Sequence, residues 1–350
     1  MGKKLWTAVF LLGLGAALLG GGYWYETQYN NNQALASDQK VRFTVKKGMG
    51  TKEIAALLHE KDVVAIPETF RIAVKLRGLD NSLQAGNYEV KPGISNQELI
   101  TMLAEGRVRY NTFTVPEGAS IPEIGVYLEK KHLGNAIAFQ EAARRYAPFP
   151  YMQTSNPDVI YTAEGFVYPS TYHLPEGATE QQILEIMVKE FDKRLTPELR
   201  ADIAKTNMSI RDVVNVAAMV EREATQKEEM PIMASIFLRR MQMGMPIQSD
   251  TTVQYILGAH HEVVTYDDLK VESPYNTYLH QGLPPGPIAN PSIEAIEAVT
   301  HPIQTEYLYF VADKNGYHRF TKTYEEHQEM IQRINGDSDE AASGNGDTEQ

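Results

Sequence analysis

The sequence predicts an α+β protein built from an N-terminal transmembrane helix, a small β/α subdomain and a larger mixed α+β domain. Three observations among its 350 residues carry that reading. An uncharged apolar run fills residues 5–25, and a strand–turn–helix pattern recurs between residues 43 and 187. A strongly apolar helix over residues 209–224 is followed by long Pro- and Gly-rich stretches. With 43% hydrophobic and 22% charged residues, the chain can bury proper cores. Its length suits about two domains plus extras.

The apolar run begins after Lys3 and Lys4 and meets no charge until Glu26. As a helix it would be about 31 Å long, close to the ~30 Å hydrocarbon core of a bilayer. Trp6, Tyr23, Trp24 and Tyr25 fall at its ends, where amphipathic rings prefer the interface. The two lysines keep residues 1–4 in the cytoplasm, so the rest is expected outside it, held at the plasma membrane by one span. A cleaved signal peptide is the competing reading, with Ala34-Leu35-Ala36 as the cleavage site. That site lies far beyond the apolar run, which favours an uncleaved anchor. Residues 26–40 are polar and aperiodic and read as a spacer.

Three stretches then share a frame: FTVKKGMGTKEIAALL (43–58), YEVKPGISNQELITML (88–103) and FTVPEGASIPEIGVYL (113–128). A weaker fourth, YHLPEGATEQQILEIM, spans 172–187. Each predicts a short alternating strand, a glycine turn and an amphipathic helix. Ser95, Ser120 and Thr179 stand where N-caps belong, with Glu98 and Glu123 at capping-box spacing after the two serines. Units of this kind resemble the LysM fold, which binds N-acetylglucosamine polymers elsewhere, and residues 41–110 are read as a LysM-like subdomain. Glycan binding and a plain spacer role both remain open for it.

The helix over 209–224 (SIRDVVNVAAMVEREA) starts at a Ser209–Asp212 capping pair. Its apolar stripe includes Val213, Val214 and Ala217, and Glu221 falls on that same stripe. A carboxyl group there resists ionisation, as a general acid working near neutrality requires. The alternative is a carboxylate paired with Arg222, Arg239 or Arg240 merely to hold the fold. Glu223 lies about 200° round the helix and cannot easily share a pocket with Glu221. Residues 163–172, 245–258 and 273–292 read as long loops holding Tyr168, Tyr172, Tyr255, Tyr275, Asn276, Thr277 and Tyr278. Aromatics and amides on loops suit carbohydrate.

MVEREA (219–224), IQSDTTVQYILG (247–258), SPYNTYLHQGLPPGPIANPS (273–292) and TEYLYFVAD (305–313) resemble the signature blocks of the endolytic murein transglycosylases, the YceG-like family. EGFVYPSTY (164–172) resembles the family's block upstream of the catalytic helix. The likeness runs in order over about residues 43–335, and makes 111–335 the catalytic domain. Glu221 matches the family's catalytic glutamate. Gln248, Ser249 and Asp250 match its Leu-Gln-(Ser/Thr)-Asp-Pro-Thr-Val block, with Thr251 in place of the usual proline. Tyr275, Asn276 and Thr277 match its Tyr-Asn-Thr-Tyr loop. Together with Glu164 these are the expected substrate-binding residues.

The resemblance implies cleavage of the β-1,4 bond between N-acetylmuramic acid and N-acetylglucosamine, with the C6 hydroxyl as nucleophile and a 1,6-anhydro end as product. One carboxyl group then serves as acid and base. Peptidoglycan strands are the implied substrate, and peptidoglycan synthases the implied neighbours at the membrane. A water-using muramidase with Asp250 or Glu164 as second carboxylate is one rival, and a non-catalytic glycan-binding scaffold another.

Composition narrows the remaining classes. A net charge of −12 and the lack of a basic patch argue against nucleic acid as a partner. Five of those negative charges lie in residues 336–350, which carry no Lys or Arg and read as a disordered acidic tail. The absence of cysteine excludes disulfides, thiolate metal sites and a thiol nucleophile. The nine histidines show no metal-ligand spacing, and neither metal nor cofactor is expected. A C-terminal strand is predicted at Tyr307–Ala312.

Overall fold

All four copies of the strand–turn–helix frame fold as the frame predicts. In the computed structural model, which describes residue 32 and residues 35–106, 110–258 and 264–343 (side chains to 335), the chain forms two compact units. The first comprises the described residues up to Thr112 together with His173–Ala178, and the second Phe113–Tyr172 and Thr179 onward. The fold class is mixed α+β. The segment read as a membrane anchor, residues 5–25, lies outside the described residues, as do His260 and His261. Among the described residues no helix is long and apolar enough to cross a membrane.

In the first unit β1 (Val41–Val45) leads into α1 (Thr51–Glu60) and α2 (Pro67–Leu76), and β2 (Gly86–Val90) into α3 (Asn96–Ala104). β1 and β2 pair antiparallel, with Phe43 opposite Tyr88. Those are the aromatic positions of the first two copies, and their rings stack 5.6 Å apart at 17°. Ile54, Leu58, Leu99 and Leu103, from the apolar stripes of α1 and α3, close the core beneath them. The turn glycines Gly48, Gly93, Gly118 and Gly177 all have positive φ, between 70° and 93°, which L-residues rarely adopt. That requirement explains why glycine is the fixed point of the frame. Ser120 and Thr179 make full capping boxes with Glu123 and Gln182, whereas Ser95 caps only through its own oxygen.

The second unit contains α4 (Ile121–Lys130), α5 (Ala136–Arg144), α6 (Glu180–Arg194), α7 (Pro197–Lys205), α8 (Ile210–Glu223), α9 (Met230–Gln242), α10 (Asp250–Leu257) and α11 (Ile293–Thr300). Between its segments run β3 (Tyr110–Thr114) and β4 (Thr171–Pro175), which pair with each other. A hairpin of β5 (Tyr309–Ala312) and β6 (His318–Thr321) follows. The last helix, α12, runs from Tyr324 to Ser343, reaching into the stretch read as tail.

α8 is the centre of the unit. Val213, Val214, Val216, Ala217, Met219 and Val220 are all fully buried, as its all-round apolar sequence predicts. α9, α10 and α11 pack on it. One expectation needs correction: residues 245–258 are not a loop throughout, because Asp250–Leu257 is helical. Ser249 stands at its N-cap position and Gly258 ends it at φ 69°. Both are ordinary helix punctuation, outweighed in the sequence by the Pro- and Gly-rich residues before them.

Candidate active site

Glu221 sits in the last turn of α8, where the core stripe reaches the surface. Its Oε2 accepts two hydrogen bonds from one residue, at 2.8 Å from the Ser292 amide and 2.5 Å from the Ser292 hydroxyl. Ser292 is buried and is the N-cap of α11, its Oγ accepting from the Ala295 amide at 3.2 Å. That bond leaves the hydroxyl proton directed at Glu221. Burial pushes the Glu221 carboxyl above the ordinary range. The Ser292 bonds and Lys227 pull it down, and Glu117 pushes it up. The balance remains upward.

None of the three arginines weighed as ion-pair partners meets it. Arg222 binds the Gly118 carbonyl at 3.2 Å and the Glu123 carboxylate at 3.3 Å. Arg240 donates to the Ile247 and Leu308 carbonyls, and Arg239 to that of Thr305. Glu221 is thus a partly covered carboxyl with hydrogen-bond donors on one oxygen and, among the described residues, no ion-pair partner.

The turn before α4 lies against it. A Cβ built on Gly118 would come within 3.4 Å of Glu221 Cγ, so the backbone itself packs on the carboxyl stem. This turn is stitched to the Pro-rich loop before α11, since Gly118 N–H donates to the Asn290 carbonyl at 3.0 Å and Asn290 N–H to the Ala119 carbonyl at 3.1 Å. Asn290, fully buried, also donates through Nδ2 to the Ala119 carbonyl and to Glu164, while its Oδ1 accepts from Val167 N–H. One amide therefore locks three segments that meet beside Glu221.

Glu164 is sealed beneath that junction, with 1% of its surface exposed. Both its oxygens accept from the Ile121 amide at the start of α4, Tyr255 OH donates at 3.1 Å, and Asn290 Nδ2 at 2.9 Å. Burial pushes its carboxyl up to about 8 against the pull of those donors. Gly165 beside it has φ 86°, and a Cβ there would lie 2.6 Å from Pro287 and 2.8 Å from Val214. Only glycine admits the Pro-rich loop so close to α8.

The remaining candidates form a second cluster at the start of α10. Gln248 is exposed and holds φ 54°, a left-handed conformation uncommon outside glycine. Its N–H donates to the Thr277 carbonyl at 3.2 Å. Ser249 is buried, and its hydroxyl donates to Glu223 at 2.5 Å. Thr251 adds a hydroxyl 2.6 Å from Ser249 Oγ. Glu223 is also raised, first by burial and then by Asp250, with Ser249 pulling it down. Asp250 is exposed and accepts a short hydrogen bond from Tyr278 OH.

Asn276 and Thr277 are buried, and their polar atoms serve the loops. Asn276 holds the Leu269 and Val271 carbonyls, and Thr277 Oγ1 receives the Ser249 amide at 3.0 Å. Tyr275 is buried against Tyr255, its OH accepting from Ile160 N–H. Of the expected substrate-binding residues, Gln248 and Asp250 thus face solvent, while Glu164, Ser249, Tyr275, Asn276 and Thr277 face inward. Ser292, Glu117 and Lys227, which the sequence reading did not single out, are the residues gathered at Glu221. Ser292 carried a usable signal, a serine immediately before the apolar periodicity of IEAIEAV.

Residues 43–333 match the YceG-like family model. The chain belongs to the YceG-like family. Over 328 residues it is 30% identical to the endolytic murein transglycosylase of Bacillus subtilis strain 168, covering 90% of this chain and 91% of that protein. The endolytic murein transglycosylase of Streptococcus pneumoniae serotype 2 (strain D39) is 26% identical over 347 residues, and this chain spans 63% of its length. A crystal structure of a YceG-like protein from Listeria monocytogenes superposes with a TM-score of 0.59 at 31% identity, over 84% of this chain and all of that one. In this YceG-like chain the turn at Gly118 and the loop ending at Ser292 meet the end of α8 at Glu221.

Proposed function

We propose that this YceG-like protein is an endolytic lytic transglycosylase that cuts the β-1,4 bond between N-acetylmuramic acid and N-acetylglucosamine within peptidoglycan strands. The observation that carries the reading is Glu221: a half-covered carboxyl, raised by burial, oriented by Ser292 and in ion-pair contact with none of the arginines around it. In its neutral form Glu221 protonates the leaving glycosidic oxygen. As carboxylate it then takes the proton of the C6 hydroxyl, which attacks C1 and closes the 1,6-anhydro ring. In this scheme the substrate's own acetamido group shares the charge at C1, a route outside the two-carboxylate scheme. The names of the relatives support the same reading.

A water-using muramidase would need a second free carboxylate. Glu164 is sealed under Asn290 and Tyr255, and Asp250 is engaged by Tyr278, which favours the one-carboxylate route. Gln248 and Asp250 are the solvent-facing candidates for direct contact with glycan, and the buried members of the set hold them in place. The strand–helix–helix–strand order of the first unit supports a LysM-like module. The apolar run at 5–25 supports a single-pass anchor at the plasma membrane with both units outside the cytoplasm. There the enzyme would limit the length of new strands beside the synthases.

Digestion of purified peptidoglycan followed by mass spectrometry tests the activity. Internal cuts that leave fragments one water lighter than hydrolytic products are expected. Fragments with ordinary reducing ends would turn the reading to a muramidase, and intact strands that remain bound would turn it to a scaffold.

A further inference from the structure

Apart from Ser292, two charged residues act on Glu221, and they are paired with each other. Glu117 sits in the turn of the third repeat copy, next to the Gly118 that packs on the Glu221 stem. Lys227 opens the short 3-10 turn Lys227–Glu229 that follows α8. Lys227 Nζ lies 2.9 Å from one Glu117 oxygen and 3.2 Å from the other, bridging elements 110 residues apart. Their side chains are 45% and 52% exposed, so the pair stands at the open edge of the site. An exposed pair of this kind contributes little to stability. Its location is the informative property.

The surrounding charges are otherwise accounted for. Arg222, on α8 itself, and Glu123, on α4, pair with each other. From α9, Arg240 is bound to carbonyls, and from α10, Asp250 acts on Glu223. Glu294, in the first turn of α11, acts on Lys227. Among the described residues, Glu117 and Lys227 are left as a pair beside Glu221 that acts on it with opposite sign.

We propose that Glu117 and Lys227, paired at the open edge of the site beside the turn that packs on Glu221, are positioning residues for the reaction at Glu221. The proposal rests on Glu221 being the acid and base of the reaction. The turn packed on Glu221 carries a negative charge that favours the protonated acid. The lysine beside it limits that effect, so that the same group still releases its proton in the first half of the reaction. Neither residue exchanges protons with the glycan in this scheme.

The test uses the full chain with carbon-13 at the glutamate side-chain carboxyls, Glu221 being identified by the signal lost in Glu221→Gln. Glu117→Gln leaves Lys227 unopposed, and the Glu221 titration midpoint is expected to move down. Lys227→Met leaves Glu117 unopposed, and the midpoint is expected to move up. The double variant should return towards the wild-type midpoint. Midpoints unchanged in both single variants, or displaced in the same direction, would overturn the proposal. This readout needs no substrate, so it stands apart from the product analysis: split midpoints in a protein that makes no anhydro ends would preserve the pair and sink the function.

Discussion

Glu221→Gln is expected to abolish nearly all glycan cleavage, lowering kcat/KM by about 10²–10⁴-fold, the contribution usual for one positioned general acid–base group. The amide oxygen can still accept from both Ser292 donors, so the end of α8 and the cap of α11 stay in place. Thermal stability should therefore change little while activity is lost. In the wild type, cleavage requires Glu221 protonated at the start. Its rate is accordingly expected to fall as pH rises through the raised carboxyl range, and that limb should vanish from the residual activity of the variant. A variant retaining a tenth or more of wild-type activity would remove Glu221 from its role. Peptidoglycan digestion followed across pH reads both.

The second large effect concerns stability. Glu164 holds its proton to about pH 8 in the fold, against an ordinary value of 4.5. Between those values the native protein binds a proton that the unfolded chain has released. The stabilising contribution of Glu164 is thus fully present below the unfolded value and is lost as pH rises through about 8. Glu164→Gln has no such titration. Urea unfolding at about pH 5 and about pH 9 should show the wild type losing on the order of 3–5 kcal/mol relative to this variant across the interval. A difference that stays constant with pH would contradict the account. Glu164→Ala is expected to cost about 2–4 kcal/mol at low pH, because the Ile121 amide and Asn290 are left without their acceptor.

The contrast between Glu221 and Glu164 shows how much of the site was legible beforehand. Glu221 stood out because a helix has a fixed period, and a carboxyl on the stripe of Val213, Val214 and Ala217 breaks a local rule. The four strand–turn–helix copies were legible for the same reason, each being set by neighbouring residues: an aromatic on the strand, a glycine with positive φ, a cap. The strand at Tyr309–Ala312 likewise falls inside the stretch predicted from its own side chains.

What surrounds Glu221 was not local. Ser292 and Glu117 lie 71 and 104 residues from it along the chain and are brought to it by the Asn290 junction and the Arg222–Gly118 bond, while Lys227, 6 residues on, is held by its pair with Glu117. No periodicity relates a residue in one loop to a residue in another. The same limit applies to the polar loop residues. Asn276 and Thr277 in a Pro- and Gly-rich stretch look like ligand contacts, yet such stretches bury many backbone groups that require partners, and these two side chains supply them. The role of Thr251 appears in the same way, its hydroxyl joining Ser249 beside Glu223.

In the proposed reaction one carboxyl group, Glu221, drives an intramolecular attack with no water consumed. Cleavage of peptidoglycan in water enriched with heavy oxygen tests it most directly. The account predicts anhydro ends that carry no label, formed by the wild type and not by Glu221→Gln. One heavy oxygen at each new reducing end would show that water is the nucleophile, and would contradict it.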